Sequence, residues 1–395
     1  MGTQKWKEGI YFTRFQTPRG FRDIAPDEVR KYTFVEGRLR DIYAKWGYSE
    51  VRTSMMDYYD VIRGGTGEGF ADALFKFQDA DGKLMSLRGE VTTQIARMLA
   101  TSLKERRLFY ISNCLKYTED RTLTGRESWQ AGAELIGGDT VASDAESIAL
   151  LVNALDALGL RGARVDIGSV EAFRTLMARY GIEDCERVTR SVIAKSADDL
   201  RNATDDKEAQ EAFAYIMLKR GGPEILDGLM DMAGCCMKAQ RDYFRTLFRL
   251  LEAYGCADRV CVDLGTIREM KYYNGIVFEA YLGGFGMPVG GGGRYDSMMS
   301  EFGLEGMSAT GFALSVDLCV KALESRGFEF GSRKAPLKVT YRGGKIEDAI
   351  RLAMSMRAEG KNCMVDAAQP GSGEGAGGEG TGVPAPPGKG GLAGD

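Results

Sequence analysis

One short stretch of this chain constrains its fold more than any other. Over residues 129–136 polar and apolar side chains alternate, so that Gln130, Gly132 and Glu134 share one face of a strand. Two long polar side chains therefore flank a position without a side chain, and we expect a ligand to lie close to the backbone there. A solvent-facing strand edge would carry Gln and Glu equally well, but Ile136 shares the polar face. The stretch predicts a strand whose polar face lines a site.

Helix and strand patterns alternate along the rest of the chain. Apolar residues recur at three and four positions over residues 27–46, which is one face of a helix. Asp81-Gly82 separates two short apolar runs and predicts a hairpin that leads into a helix ending near residue 103. An amphipathic helix is predicted over 144–158, and 171–254 is mostly helical. Strands are predicted at 48–52, 75–77, 84–87, 108–117, 165–167, 259–264, 276–281 and 309–314, the last followed by a helix from 316.

A run of four glycines, residues 290–293, permits two interpretations. It could be a phosphate-binding loop, or a hairpin in which two backbones cross closely. No Gly-Lys-Ser/Thr follows the run, and no helix-opening GxGxxG stands behind a parallel strand. The hairpin with a close backbone crossing is therefore favoured.

Composition excludes several classes of chemistry. The 395 residues contain no histidine, which removes Ser-His-Asp catalysis, His-ligated metal and imidazole proton transfer. The 52 Lys+Arg nearly balance 56 Asp+Glu, so no broad basic field for nucleic acid is expected. The eight cysteines form no CxxC pair, which predicts reduced core thiols and no metal site. No apolar run could span a bilayer, and we expect a cytoplasmic protein.

The pattern divides the chain into four segments. Residues 1–16 form an N-terminal extension, and 17–325 form a large domain with a mostly helical insertion at 168–256. A small, incomplete α/β unit is predicted over 335–366, with the order strand, helix, strand. The Gly- and Pro-rich residues 367–395 cannot bury enough apolar surface to offset ordering and are predicted to be disordered.

Several blocks, in one order, resemble the histidyl-tRNA synthetase-like branch of the class II aminoacyl-tRNA synthetases. The similarity covers about residues 17–325 and implies an α+β fold, an antiparallel sheet flanked by helices. The matching blocks are TPRGFRDIAPDE at 17–28, LRGEVT at 87–92, QAGAELIG at 130–137, YYNGIVFE at 272–279, GGGGRYD at 290–296 and TGFAL at 310–314.

The resemblance implies a site for a histidine zwitterion. Carboxylates and polar groups would meet the ammonium, a guanidinium the carboxylate, and a carboxylate with an aromatic ring the imidazole. The residues carried over are Glu90, Thr92 and Gln130 for the ammonium, Arg268 for the carboxylate, and Glu134 and Tyr273, with Tyr272 beside it, for the imidazole. Arg88 and Arg97 are possible supporting residues. No catalytic residue, metal or cofactor is expected.

The departures from the synthetase pattern lie on the nucleotide side. Lys116 stands where an arginine would hold the α-phosphate, Thr118 where an acid would meet adenine, and Leu318 where an arginine would hold the terminal phosphates. A lysine cannot donate the bidentate pair of hydrogen bonds that an arginine donates. Losing such charge stabilisation argues against amino-acid adenylation as the activity. Ser54 also replaces a proline of the dimer-forming motif, which leaves details of that interface open.

A synthetase-like chain whose site binds an amino acid without activating it resembles the regulatory-subunit family of ATP phosphoribosyltransferase. That resemblance implies a homodimer within a hetero-oligomer, a short catalytic subunit as partner, and free histidine as feedback inhibitor in the first step of histidine biosynthesis. Two alternatives remain, a divergent histidine–tRNA ligase and a stand-alone amino-acid-binding protein. No membrane or nucleic-acid partner is expected.

Overall fold

The computed structural model describes residues 16–104, 106–117, 125–267, 272–331, 335–341 and 345–367. The chain divides into two units, residues 1–330 and 331–395. Arg268 and Thr118 lie outside the described residues, as do the predicted extension and tail except for Gln16 and Ala367. No helix in the described ranges is long and apolar enough to cross a membrane.

The helices of these ranges are numbered in chain order. They are α1 (Pro26–Lys45), α2 (Tyr59–Thr66), α3 (Glu68–Asp72), α4 (Thr92–Thr101), α5 (Thr140–Ala157), α6 (Val170–Arg179), α7 (Cys185–Ile193), α8 (Ala197–Ala203), α9 (Lys207–Leu218), α10 (Ile225–Ala233), α11 (Lys238–Ala253), α12 (Asp296–Glu301), α13 (Val316–Ser325) and α14 (Ile346–Ala358).

The strands are numbered in the same way. They are β1 (Ser49–Glu50), β2 (Met56–Tyr58), β3 (Lys76–Gln78), β4 (Leu84–Leu87), β5 (Arg107–Leu115), β6 (Glu127–Ile136), β7 (Arg164–Ser169), β8 (Val260–Val262), β9 (Ile276–Tyr281), β10 (Gly290–Arg294), β11 (Ala309–Ser315), β12 (Leu337–Tyr341) and β13 (Cys363–Ala367).

One large sheet organises the first unit. Its strands follow the order β1-β5-β6-β11-β10-β9-β7-β8. Every pair from β5 to β7 is antiparallel, whereas β1 joins β5 and β8 joins β7 in parallel at the two edges. The predicted α+β fold with an antiparallel sheet flanked by helices is therefore confirmed. The strand predicted from residues 129–136 lies near the centre of this sheet as β6.

Helix α5 differs from its prediction. It begins where the Asp139 side chain accepts a hydrogen bond from the Ala142 amide, at 2.9 Å. Most of its residues are buried on all sides, including the polar Asp144 and Ser147. The polar face of the predicted amphipathic helix is a narrow stripe, the partly exposed Glu146, Asn153 and Asp156, because the sheet, α1 and α11 cover the other sides.

A smaller sheet carries the segment that enters the site. Strands β2, β4 and β3 pair antiparallel, and β3 and β4 form the predicted hairpin. The Asp79 side chain accepts hydrogen bonds from the amides of Asp81 and Lys83, and Gly82 adopts a φ of +76° that favours glycine. After this turn the chain runs through β4 and continues directly to Gly89 and Glu90.

The glycine run forms a strand. Strand β10 pairs with β9 on one side and β11 on the other. A Cβ at Gly292 would lie 1.9 Å from the carbonyl oxygen of Gly311, so a larger residue cannot fit. The predicted close backbone crossing is confirmed, and the phosphate-loop interpretation is excluded.

The first unit ends in an aromatic cluster on α1. The ring of Phe34 lies 5.1 Å from that of Phe328 and 5.6 Å from that of Phe330, measured between centroids. The two later rings are 5.1 Å apart and near perpendicular. Residues 326–330 therefore pack as part of the first unit.

The second unit has the predicted order strand, helix, strand. Strands β12 and β13 pair in parallel, and α14 crosses between them. Among its described residues the buried side chains are few, namely Val339, Ala349, Ala353 and Cys363.

Candidate ligand-binding site

A cavity of about 130 Å³ opens on the face of the large sheet formed by β5, β6, β11 and β10. Polar and aromatic side chains converge there from six separate parts of the chain. The lining residues are Gly89, Glu90, Thr92, Tyr110, Lys116, Gln130, Glu134, Tyr272, Tyr273, Gly291, Tyr295, Gly311, Phe312 and Ala313. Six of the seven predicted ligand-binding residues are among them, and the seventh, Arg268, lies outside the described residues.

Glu134 is the most deeply placed carboxyl group of the cavity, with 2% of its surface exposed. The Thr92 hydroxyl donates to its Oε1 at 2.9 Å, and the Tyr295 hydroxyl donates to its Oε2. The space for this side chain is provided by Gly311 on the neighbouring strand, where a Cβ would lie 1.8 Å from Oε2. Glycine at position 311 is therefore needed to place Glu134.

Glu90 is the second buried carboxyl group. It lies at the start of α4, and both of its oxygens accept from the Thr93 amide at 3.1 Å. The first amides of a helix have no partner within the helix and carry partial positive charge. These hydrogen bonds favour the ionised form of Glu90.

Burial raises the pKa of both carboxyl groups. It raises the pKa of Glu134 to about 8, although the hydrogen bonds from Tyr295 and Thr92 act in the opposite direction. Burial also raises the pKa of Glu90, where the Thr93 hydrogen bonds and the charge of Lys116 lower it. Two carboxyl groups share one small cavity with the ammonium of Lys116, so the described lining favours a cationic ligand.

The floor of the cavity differs from its prediction. Gly132 was expected to leave room for a ligand, but the ring of Tyr110 on β5 lies over it, 2.4 Å from where a Cβ would stand. An aromatic side chain often covers the gap beside a glycine on a paired strand. Gln130 remains a lining residue, and its Oε1 lies 3.6 Å from Sγ of Cys114, which donates to it.

Tyrosine rings form another wall. The rings of Tyr272 and Tyr273 are 4.6 Å apart, and Tyr272 meets Tyr295 edge to face at 6.0 Å. Gly293 leaves space for Tyr273, because a Cβ there would lie 2.9 Å from its ring. Such rings can pack against a flat ligand and also offer hydroxyl groups.

The two predicted supporting arginines lie outside the cavity lining. Arg88 donates to the carbonyl oxygens of Asn113 at 2.9 Å and Thr53 at 3.1 Å, so it joins the segment before Glu90 to two neighbouring elements. Arg97 forms an ion pair with Asp57, with Nε and Oδ2 2.9 Å apart. Both contacts hold the scaffold of the site, and neither is made to the cavity.

The positions that depart from the synthetase pattern have different surroundings. Lys116 lines the cavity, with its Nζ 5.0 Å from the centroid of the Phe70 ring. Leu318 is 6% exposed and belongs to the hydrophobic core on α13. The Ser54 carbonyl accepts from the side chain of Gln94 at 3.0 Å.

A second buried polar cluster lies beside the cavity and is closed by protein groups. Arg294 donates from Nε to Asp144 at 2.9 Å, from Nη1 to Asp296 at 3.0 Å and from Nη2 to the Thr140 carbonyl at 2.7 Å. Tyr243 also donates to Asp144. Both carboxylates of this cluster pair with the one guanidinium, and the cluster joins β10 to α5.

The sequence analysis missed Tyr110 and Tyr295 as cavity residues. Tyr295 stands within the GGGGRYD block, and Tyr110 shares its strand face with Ser112 and Cys114. Pairing the predicted strands in the observed register, with Gly132 opposite Tyr110, would have identified Tyr110 as a cavity residue. That register could not be fixed from the sequence, because a shift of one residue reverses the face.

The cysteines form no metal site. Within the described ranges no group of three or more Cys, Asp or Glu side chains could hold a metal ion. Cys114, Cys256, Cys319 and Cys363 are buried free thiols, as predicted. The prediction of core thiols was wrong for three others on the helical insertion, because Cys185, Cys235 and Cys236 are exposed at helix ends.

Comparison with known proteins places these features in a family. A family model described as "Histidyl-tRNA synthetase" matches residues 20–318. A protein of Geobacter metallireducens named "ATP phosphoribosyltransferase regulatory subunit" is 31% identical over 88% of this chain and 83% of its own. A protein of the same name from Symbiobacterium thermophilum is 34% identical, over 90% and 91%.

A solved structure from Bacillus halodurans extends this similarity. It is described as an ATP phosphoribosyltransferase regulatory subunit/histidyl-tRNA synthetase. It matches with a TM-score of 0.79 and 29% identity, over 89% of this chain and 93% of that one. The histidyl-tRNA synthetase of Nostoc shares the fold, with a TM-score of 0.74 at 16% identity over 91% and 87% of the two chains.

Proposed function

The chain belongs to the histidyl-tRNA synthetase-like family and, within it, to the ATP phosphoribosyltransferase regulatory subunits, and from this membership we propose that it senses free histidine without catalysing a reaction itself. A regulatory role in histidine biosynthesis follows from the family. The observation that carries the finer proposal is the lining of one cavity, in which two buried carboxyl groups and four tyrosines surround a space of about 130 Å³.

The lining suits histidine group by group. Glu90, Thr92 and Gln130 would bind the ammonium. Glu134 and Tyr273 would bind the imidazole, with Tyr272 beside it. Arg268, by resemblance, would bind the carboxylate. An amino acid with an apolar side chain would offer the buried Glu134 no donor from the ligand, and such a missing contact costs about a hundredfold or more in selectivity.

The absence of catalysis is proposed from the nucleotide side. Lys116 supplies a single point charge where a synthetase-like site would use an arginine fork, and the buried Leu318 supplies no charge. Adenylation needs charge stabilisation at the α-phosphate, and these positions offer little of it.

The partner we propose is a short catalytic subunit of ATP phosphoribosyltransferase. Histidine can regulate such a partner if it binds two states of the complex with different affinity. A homodimer within the hetero-oligomer is supported by Met55, Met56 and Tyr58, which are each close to half exposed beside Ser54. Exposed apolar side chains grouped in this way are typical of interfaces. The cytoplasmic location stays a prediction.

Isothermal titration of the full chain with histidine tests the site. We expect binding to the wild type and a loss of about a hundredfold in Glu134→Ala and Arg268→Ala. The exposed Glu301→Gln serves as the matched control and should bind like the wild type. Equal binding by all four proteins would show that the cavity is assigned wrongly.

A second assay tests the regulatory role. The rate of a short catalytic subunit is measured with and without this chain across a histidine titration. We expect activation by the chain and inhibition by histidine, with Glu134→Ala activating but no longer conferring inhibition. If the rate of the catalytic subunit does not change when the chain is added, the result would favour a stand-alone amino-acid-binding protein.

The alternative function is a divergent histidine–tRNA ligase, which the name of the matching family model favours. Histidine-dependent exchange between ATP and pyrophosphate by the purified chain would establish it. We expect no exchange above that of a Lys116→Met control.

A further inference from the structure

Buried tyrosines of the first unit differ in where their hydroxyl groups donate. Tyr43 donates to the Ala131 carbonyl oxygen at 3.4 Å, and Tyr48 donates to the Glu146 carboxylate at 3.0 Å. Tyr110 is only 2% exposed, yet its hydroxyl group has no hydrogen-bond partner within the part of the chain that the structure describes. A buried polar group without a partner is costly and rare, so this hydroxyl group points to a partner from outside the chain.

The fold places this hydroxyl group on the floor of the cavity. In the pairing of β5 with β6, Tyr110 lies directly opposite Gly132 and is one of the lining residues. Its Oη lies 2.5 Å from where a Cβ of Gly132 would stand, so the missing side chain makes room for it. Gln130 and Glu134 lie two residues to either side of Gly132 on the same strand face and also line the cavity. A ligand that spans these two residues must therefore pass over the Tyr110 hydroxyl group.

Two other hydroxyl groups of the lining already donate their protons to protein. Thr92 donates to Oε1 of Glu134 at 2.9 Å, and Tyr295 donates to Oε2. A hydroxyl group has one proton, so neither can donate to a ligand while these bonds last. Glu134 keeps further lone pairs and can still accept from an N–H of the ligand. Burial holds the pKa of Tyr110 well above that of an ordinary tyrosine, so its hydroxyl group keeps a proton to donate.

A neutral imidazole ring needs both an acceptor and a donor, because it has one N–H and one bare nitrogen. We propose that the Tyr110 hydroxyl group donates to the bare ring nitrogen of the bound ligand, while the ring N–H donates to Glu134. The inference rests on the proposed histidine site and adds a residue that determines its specificity. A ring that has an N–H but no bare nitrogen would leave the Tyr110 hydroxyl group unpaired and should bind more weakly.

Titration calorimetry with two kinds of ligand tests the contact. The probes are histidine and the 2- and 3-pyrrolyl analogues of alanine, which keep one ring N–H and carry a C–H in place of the bare nitrogen. At about pH 7.5, where most free histidine has a neutral ring, the wild type should bind histidine about tenfold more tightly than the better analogue. Tyr110→Phe should lose this preference. Equal affinities in the wild type alone would overturn the proposal.

Tyr43→Phe is the matched control, because it removes a buried tyrosine hydroxyl group that bonds to protein. It should unfold at lower urea than the wild type and keep the preference for histidine. Ligand-free Tyr110→Phe should unfold at the same urea concentration as the wild type or higher, because no hydrogen bond within the protein is lost. If Tyr110→Phe unfolds earlier and keeps the wild-type preference, the hydroxyl group serves the fold and the proposal is wrong.

Tyr273→Phe tests the competing assignment of the bare nitrogen. Tyr273 lines the same cavity and is already proposed to bind the imidazole. We expect this variant to weaken histidine and the pyrrolyl analogues alike, so that the ratio of their affinities is kept. Loss of the preference in Tyr273→Phe, with its retention in Tyr110→Phe, would overturn the proposal while histidine binding stands. No binding of histidine by the wild type would refute the proposed function itself.

Discussion

Two buried polar clusters lie close together on the same sheet and differ in how their charges are balanced. Around Arg294, each carboxylate faces the guanidinium, and a tyrosine and a carbonyl complete the set. Around Glu134, two carboxyl groups face tyrosines, a threonine and one lysine. The carboxylates of the first cluster bond directly to a guanidinium, whereas those of the second accept from neutral hydroxyls and a backbone amide in an enclosed space.

The difference separates structure from binding. Burying charge is costly, and a closed network recovers that cost through its own hydrogen bonds. A cavity that leaves carboxyl groups without enough cations keeps part of the cost until a cationic ligand arrives. Removing a charge should therefore destabilise the first cluster and relieve the second, and the predictions below test that contrast.

Arg294→Met should have the largest effect. It leaves Asp144 buried without its cation, which typically costs about 3–5 kcal/mol in the free energy of unfolding. Urea unfolding measures this loss. Arg245→Met is the control, because Arg245 and Asp227 form an exposed pair and should contribute less than about 1 kcal/mol. Equal losses in the two variants would contradict the closed cluster.

Glu134→Gln should have the opposite effect on stability to Arg294→Met at alkaline pH, because it removes a carboxyl group from the second cluster. Because the folded-state pKa of Glu134 is raised from 4.5 to about 8, its stabilising contribution is full below about pH 4.5 and is lost as the pH rises through about 8. The ligand-free wild type should therefore lose more unfolding free energy between about pH 5 and pH 9 than Glu134→Gln, by on the order of 3 kcal/mol. Glu301→Gln, on the surface, should follow the wild type.

Gly311→Ala should damage both stability and binding. The added Cβ would lie 1.8 Å from Oε2 of Glu134 and 2.6 Å from the Ala133 carbonyl oxygen. We expect a loss of about 1–3 kcal/mol in thermal unfolding, together with weaker histidine binding. Gly37→Ala on α1 has open space around it and should be neutral or stabilising by up to about 1 kcal/mol. Normal binding by Gly311→Ala would show that Glu134 can move without consequence.

Arg97→Gln should have the smallest effect on the site. Its contact with Asp57 lies outside the cavity, so histidine affinity should change by less than about twofold. Stability should fall by about 1 kcal/mol because the pair is partly exposed. Titration with histidine measures the first value and denaturation the second. A large loss of histidine affinity would show that Arg97 contributes to the site.

How much of this could be read from the sequence varies with the kind of feature. Local patterns sufficed for β9, whose observed bounds match the prediction, and for the order of β12, α14 and β13 in the second unit, since turn residues and periodicity mark them. Gln130 and Glu134 were predicted from alternation and resemblance together, and Glu90 from resemblance alone. Tyr110 was missed because its place over Gly132 depends on strand register, which is a long-range property.

The enclosed polar character of α5 also escaped the sequence analysis. Asp144 was predicted only as the first residue of an amphipathic helix, whereas its charge is met by Arg294, 150 residues further along the chain. Periodicity reports which face is apolar and cannot report a distant counter-charge. The two polar clusters thus became distinguishable only when their partners were known.

The aromatic cluster that closes the first unit decides where the chain can be divided for dissection. A fragment ending at Ser325 would lack Phe328 and Phe330. The apolar side of α1 around Phe34 would then be exposed and would promote aggregation. A fragment ending at Phe330 would keep that surface covered. Truncation just beyond the cluster therefore offers a way to ask whether amino-acid sensing requires the C-terminal α/β unit at all.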